Sequence, residues 1–322
     1  MRKALGLAGL LLCLVAVTCA WECLRNEQGQ INFLTVQNLR NLLTFVGLFG
    51  VLSVGQALVI ITGGIDLSVG SVVALVGMVT AIGLRNHGLS PLVVLPGSLA
   101  MAALIGTWHG LLITKARIQP FVVTLCGLFF YRGITRLITQ DTTQGFGTEF
   151  PRLRGLGNGY LADLIPVPFI ILLILSAVVA AYLHFMAQGR HLFALGANEE
   201  AARFSGIRTD RLKILAYVLC SVITAVGGLM MAFKVNSLGP TDFGSFYELY
   251  AIAGAVLGGC SLRGGSGNVL GVIIGATLIV VLKNVVNILQ IPSQLEYVVI
   301  GGAILLGVFA DEVFTRRTHG VQ

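Results

Sequence analysis

Gly264-Gly265-Ser266-Gly267 matches the G-x-S-G pattern from which an intramembrane serine nucleophile is built. Such a serine needs a histidine on a later membrane helix to take its proton. The one histidine downstream, His319, stands in the polar C-terminal tail. No lysine is preceded by Gly or followed by Ser or Thr, so a phosphate-cradling loop of the Gly-Lys-Ser/Thr type is absent. The five histidines, at 87, 109, 184, 191 and 319, form no H-E-x-x-H or comparable metal spacing. Six cysteines, at 13, 19, 23, 126, 220 and 260, include no C-x-x-C and read as structural. Serine, P-loop and metal chemistry are therefore not expected of this chain.

The remaining polar residues sit in apolar surroundings. In Ile61-Thr62-Gly63-Gly64-Ile65-Asp66-Leu67-Ser68-Val69-Gly70-Ser71 the glycines let the backbone break at the edge of a bilayer. Asp66, followed by Ser68, can cap the next helix by accepting its free amide hydrogens. A tight capped turn and a transport site built on a broken helix both fit, and both can hold. Lys283, Asn287 and Gln290 fall within about 60° of one another at 100° per residue, with Asn284 on the flank. Gly267, Gly271 and Gly275 repeat at four-residue spacing away from that stripe, a pattern for close helix approach. The polar stripe can face a wet cavity, or the lysine can snorkel while the amides tie the bundle together. Arg132 and Arg136 share one face one turn apart, near Asp141. They can line an outer vestibule or anchor an interface.

The longest polar interruption with helical character is Gly189–Ile207, which contains Gly196-Ala197-Asn198-Glu199-Glu200-Ala201-Ala202-Arg203-Phe204-Ser205-Gly206. A short helix here would be capped by Asn198, with Glu199 and Glu200 at its positive end. Its free face would present Ala201, Phe204 and Ile207, which could enter a partner's groove. A solvated loop helix has the same composition.

The elements that position these residues are membrane spans. The chain is 56% hydrophobic and 11% charged, too little polar surface to cover a soluble protein of 322 residues. Apolar runs of membrane-spanning length recur throughout. They predict ten spans, near 4–21, 42–62, 66–84, 91–113, 121–139, 166–187, 213–233, 247–260, 269–290 and 295–310, the eighth and tenth being short. The chain thus reads as one all-α transmembrane domain over 1–322, with 189–212 as a cytoplasmic loop. With both termini inside, the inner segments hold Arg2, Lys3, Lys115, Arg117, Arg190, Arg203, Arg208, Arg211, Lys213, Arg263, Arg316 and Arg317. The outer ones hold Arg25, Arg40, Arg85, Arg152, Arg154 and Lys234. Twelve against six obeys the positive-inside rule. The net charge of +7 is thereby a topology signal and calls for no nucleic acid. Residues 1–21 resemble a signal sequence, but the long apolar run and weak cleavage signals favour a retained anchor.

From about Phe33 to Asp311 the chain resembles the permease subunits of bacterial ATP-binding-cassette importers for ribose and related monosaccharides, a family related to the branched-chain amino acid permeases. The resemblance rests on Ile61–Ser71, on His109-Gly110-Leu111-Leu112-Ile113, and on Gln119-Pro120-Phe121-Val122-Val123-Thr124-Leu125 followed by Arg132-Gly133. It continues through Gly189–Ile207 and Glu248–Leu282, with Val256-Leu257-Gly258-Gly259-Cys260-Ser261-Leu262-Arg263-Gly264-Gly265. It implies a polytopic α-helical subunit of the bacterial inner membrane, paired with a second permease copy. A separate cytoplasmic ATPase would drive the pair, and an extracytoplasmic sugar-binding protein would feed it. ATP and Mg would belong to the ATPase, leaving this chain without a cofactor or an enzymatic activity. The resemblance assigns Asn198, Glu199, Glu200, Ala201, Ala202, Arg203 and Gly206 to the coupling helix that docks on the ATPase. Candidates for the translocation path are Asp66, Ser68, Phe121, Thr124, Arg132, Glu248, Lys283, Asn284 and Asn287. Two departures stand out: Tyr250 where the family usually has an acidic residue, and Lys283 beside Asn284. The expected mechanism is alternating access driven by the ATPase. A gradient-driven transporter or channel is the competing reading, and it predicts titratable mid-span residues, for which only Asp66 comes close.

Overall fold

The computed structural model describes residues 2–25 and 31–292, with 295, 298, 299, 301, 302 and 305 beyond them. More than half of the expected tenth span, 295–310, lies outside the described residues, and Arg316, Arg317 and His319 lie wholly outside them. Among the described residues, eight helices are long and apolar enough to cross a membrane. In chain order the helices are α1 (Arg2–Arg25), α2 (Val36–Ile61), α3 (Val69–Ala81, continued by a π turn Ile82–Asn86), α4 (Pro91–Thr114) and α5 (Pro120–Thr139). There follow α6 (Pro151–Asn158), α7 (Val167–Phe185), α8 (Ala187–Ala197), α9 (Glu199–Phe204), α10 (Thr209–Val235), α11 (Tyr247–Leu257) and α12 (Val269–Ile288). A two-stranded antiparallel hairpin, Tyr160–Leu161 with Ile165–Pro166, sits in the loop between α6 and α7.

Burial sorts these helices. α2 is predominantly apolar, and 94% of its most apolar stretch is buried, as expected of a helix at the centre of a bundle. It packs against α7, α10, α11 and α12, while α10 also joins α3 and α4. α4, α5 and α7 have only 28% of the corresponding stretch buried, so their outer faces are free for lipid or a partner. Proline sets several starts: Pro91, Pro120 and Pro151 each open a helix at a position whose N–H has no intrahelical acceptor. Within α4, Pro96 removes one rung of the ladder.

α11 and α12 meet through glycine. A Cβ on Gly271 or Gly275 would collide with the carbonyl oxygens of Gly258 or Gly254, so the two backbones touch directly. Gly267 does not share in this. Asn268 caps α12 by accepting from Leu270 N–H at 3.0 Å, which leaves Gly267 in the preceding loop, against Cys260 Sγ and Ile61. The polar stripe is shorter than its spacing suggested, because α12 ends at Ile288 and Gln290 adopts a left-handed turn at φ 54°.

The loops gather at two ends. At one, which we call the island end, Gly265 N–H donates to Ile61 O at 2.9 Å and Lys115 pairs with Asp210. At the other, the long-loop end, Gln144 and Leu238 exchange backbone hydrogen bonds of 3.0 and 2.7 Å.

Candidate functional site

The island folds as two helices hinged at Asn198. Its side-chain oxygen accepts from Ala201 N–H at 2.9 Å, starting α9 with Glu199 and Glu200 in the first turn. Carboxylates there favour the helix dipole. Gly206, at φ +82°, stops the helix: its N–H donates to Arg203 O at 3.0 Å and Ile207 N–H donates to Ala202 O at 3.1 Å. That pair of bonds is a Schellman stop. It folds Ile207 back toward the body, where it is half-buried, so the free face is Ala201 and Phe204 without Ile207. Phe204 is 86% exposed, and Ala202 is buried beneath.

Charges clamp α9 to the bundle. Glu199 accepts from Lys213 Nζ at 2.6 Å and from Arg203 Nη2 at 3.4 Å. Arg203 also reaches Asp210 at 3.3 Å, and Asp210 accepts from Lys115 at 2.8 Å. The chain of pairs therefore runs from α9 through the start of α10 to the α4–α5 turn. Behind α9, the foot of the island rests on two helix breaks. A Cβ on Gly196 would collide with Ile61 O and Gly265 N, and Gly264 lies against Gly196 O and Gly63 N. Loops 62–68 and 258–268 thus touch the lead-in to α9 backbone to backbone.

The α2–α3 break is held by a buried polar cage. Asp66, 1% exposed, accepts from Ser68 N–H at 2.8 Å and from Ser68 Oγ at 2.6 Å. Thr124 and Tyr217 donate to Ile65 O at 3.2 and 3.4 Å. With its amide turned to satisfy both groups, Gln56 accepts from Asp66 N–H at 3.0 Å and donates to Asp66 O at 3.3 Å. Asp66, Ser68 and Thr124 are thus brought together, facing the loop's own backbone. Phe121, one turn before Thr124, is half exposed.

At the long-loop end Arg132 donates to Pro240 O and Phe243 O at 3.1 and 2.7 Å. It straps the segment before α11 onto α5. Glu248, buried at the start of α11, lies against Gly70 of α3, where a Cβ would strike its carboxylate. Arg136 forms a two-bonded pair with Asp141 at 2.7 and 2.9 Å, which holds the Asp141 carboxyl below its ordinary range. Asn284 and Asn38 exchange amide hydrogen bonds of 3.1 and 2.7 Å, tying α12 to α2. Asn287 is exposed.

The two departures from the family pattern prove to be neighbours. Lys283 Nζ lies 4.4 Å from the centroid of the Tyr250 ring and 5.7 Å from that of Phe49. A cation over two aromatic faces is attracted by the ring quadrupoles. Sequence reasoning missed this pairing, and with it Gln56, Tyr217, Lys115 and Asp210. Lys115 and Asp210 carried a readable signal, since both flank spans on the same expected side. The others depend on which helices become neighbours.

A family model described as "Branched-chain amino acid transport system / permease component" matches residues 38–308. The ribose import permease protein of Escherichia coli strain K12 is 39% identical over 282 residues, 87% of each chain. That of Bacillus subtilis strain 168 is 38% identical over 281 residues, 87% of this chain and 86% of its own. The D-allose transport system permease protein of E. coli strain K12 is 32% identical over 285 residues, 88% and 86% respectively. No solved structure matches the chain.

Proposed function

This chain belongs to the family of branched-chain amino acid transport system permease components, and we propose that it is the permease of an ATP-driven importer for a ribose-like monosaccharide. The observation that carries the reading is the island: a capped helix with an exposed Phe204, clamped by ion pairs and seated on two helix breaks. It sits at the end where the positive-inside count puts the cytoplasm. Relatives of 32–39% identity that carry ribose and allose in their names supply the substrate class.

In this reading a cytoplasmic ATPase binds and hydrolyses ATP with Mg, and this chain holds neither. α9, with Asn198, Glu199, Glu200, Ala201, Ala202, Arg203 and Gly206, docks on the ATPase. Displacement of α9 passes through Gly196 to the α2–α3 and α11–α12 breaks, which re-gate the path between this permease and a second copy. An extracytoplasmic sugar-binding protein docks at the long-loop end, and both termini lie in the cytoplasm. A neutral sugar needs hydrogen bonding and water along its path, with no fixed counter-charge. Asp66, enclosed in its cage, supports a structural role over proton coupling.

The test is uptake of labelled ribose into proteoliposomes holding this chain, the ATPase and the binding protein. ATP-dependent uptake that ends when the ATPase is inactivated is expected. Uptake that continues on an ion gradient alone would sink the proposal.

A further inference from the structure

The α4–α5 turn has features that its role as a connector does not require. It runs from Lys115 to Gln119 between two spans, and with α9 it walls a cleft of about 570 Å³. The cleft is lined on one side by Arg117 and Ile118 and on the other by Glu200 and Phe204. Ile118 is 39% exposed and Phe204 86%, two apolar side chains held out into water across a gap.

Charge supplies the second observation. Of the six charged side chains in the cleft, Glu199, Arg203, Asp210 and Lys213 are spent on one another. Arg117 and Glu200 are both exposed and have no ion-pair partner among the described residues. Arg117 is held at φ 56°, a left-handed conformation uncommon outside Gly, Asn and Asp. The two walls are tied to each other at their base, because Asp210 accepts from Lys115 of the turn and from Arg203 of α9.

The geometry points to a second docking element: the α4–α5 turn and α9 together form one cleft that receives a projecting segment of the ATPase. This rests on the reading of α9 given above and extends its interface beyond the coupling helix. Three bases, Arg117, Arg203 and Lys213, face three acids, Glu199, Glu200 and Asp210. With Lys115 of the turn added through Asp210, the charges around the cleft are mixed in sign, with no cluster of bases of the kind that draws an anionic lipid headgroup. Two apolar anchors flanked by one unpaired acid and one unpaired base suit a protein surface of mixed charge. The inserted segment carries an acid for Arg117, a base for Glu200 and an apolar side chain between Ile118 and Phe204.

The experiment places a photoreactive phenylalanine analogue at 118 or at 204 in the assembled transporter of this chain, the ATPase and the binding protein. Crosslinks to the ATPase from both positions are expected. A crosslink from 204 alone overturns the second element and leaves the coupling helix standing. No crosslink from either overturns both. Should the analogue at 118 prevent assembly, Arg117→Asn decides, since asparagine tolerates the left-handed backbone. Recovery of the ATPase should then fall about two- to fivefold, the scale of one surface pair. Unchanged recovery at equal chain abundance overturns the proposal.

Discussion

Where the island end joins mainly backbone to backbone at Gly196, Gly264 and Gly265, the long-loop end adds to its own backbone contacts, Gln144 with Leu238 and Gly145 against Asn236 O, a set of side chains that reach across gaps. There Asn236 accepts from Phe146 N–H and donates to Gly147 O, both at 2.9 Å, and Asn158 donates to Phe233 O at 3.0 Å. Arg132 performs the same task for Pro240 and Phe243. Direct backbone contact transmits displacement, because a packed interior has no slack to absorb it. Side-chain hydrogen bonds can be exchanged singly for water at modest net cost. The larger share of side-chain ties at the long-loop end suits a re-formable closure there and a stiffer lever at the island end.

The largest effect should come from the lever. Gly196→Val drives a side chain into Ile61 O and Gly265 N, and overpacking of this kind costs about 1–3 kcal/mol. The thermal midpoint in detergent should fall, and ATP hydrolysis in the assembled transporter should continue with little uptake. Gly133→Val, at a position with nothing within 4 Å, should leave both unchanged. A midpoint for Gly196→Val equal to that of Gly133→Val would break the comparison.

Next comes the closure. Arg132→Met leaves two carbonyls without their donor, a loss of about 1–3 kcal/mol, with Arg132→Lys recovering part of it. The midpoint should fall less than for Gly196→Val, and the reverse order would make the long-loop end the stiffer one. Asn198→Ala should remove about 1 kcal/mol of cap. It should show as faster amide exchange confined to 199–204, with the global midpoint unmoved. The smallest change belongs to Lys115→Met. A surface pair contributes about 0–1 kcal/mol, so its effect on ATPase recovery should vanish in roughly 1 M salt.

The island's local chemistry was readable in advance because it is encoded within a few residues. Asn198 caps and Gly206 stops α9 without help from the rest of the chain. Pro91 and Pro120 likewise mark the starts of α4 and α5, and the eighth span is short in the structure as its apolar run is short in the sequence. What was hidden depends on neighbours far away in the chain. Spacing alone put Gly267 on α12, whereas the Asn268 cap excludes it. α6 and the hairpin beside it lie in what read as a plain outer loop. Tyr250 and Lys283 stood as two separate departures until packing of α11 on α12 brought the ammonium over the ring. The polar cage around Asp66 draws on α2, α5 and α10 at once, which no local pattern reveals.

The most direct test of the account is affinity recovery of the ATPase on the tagged chain from membranes in mild detergent. Glu200→Arg should be compared with wild type first, because Glu200 takes no part in the clamp that Glu199 makes with Lys213. Adding Glu199→Arg then breaks the clamp as well. Wild type should bring down the ATPase, Glu200→Arg less, and the double variant none. A folded wild type that recovers no ATPase even after crosslinking would contradict the central claim.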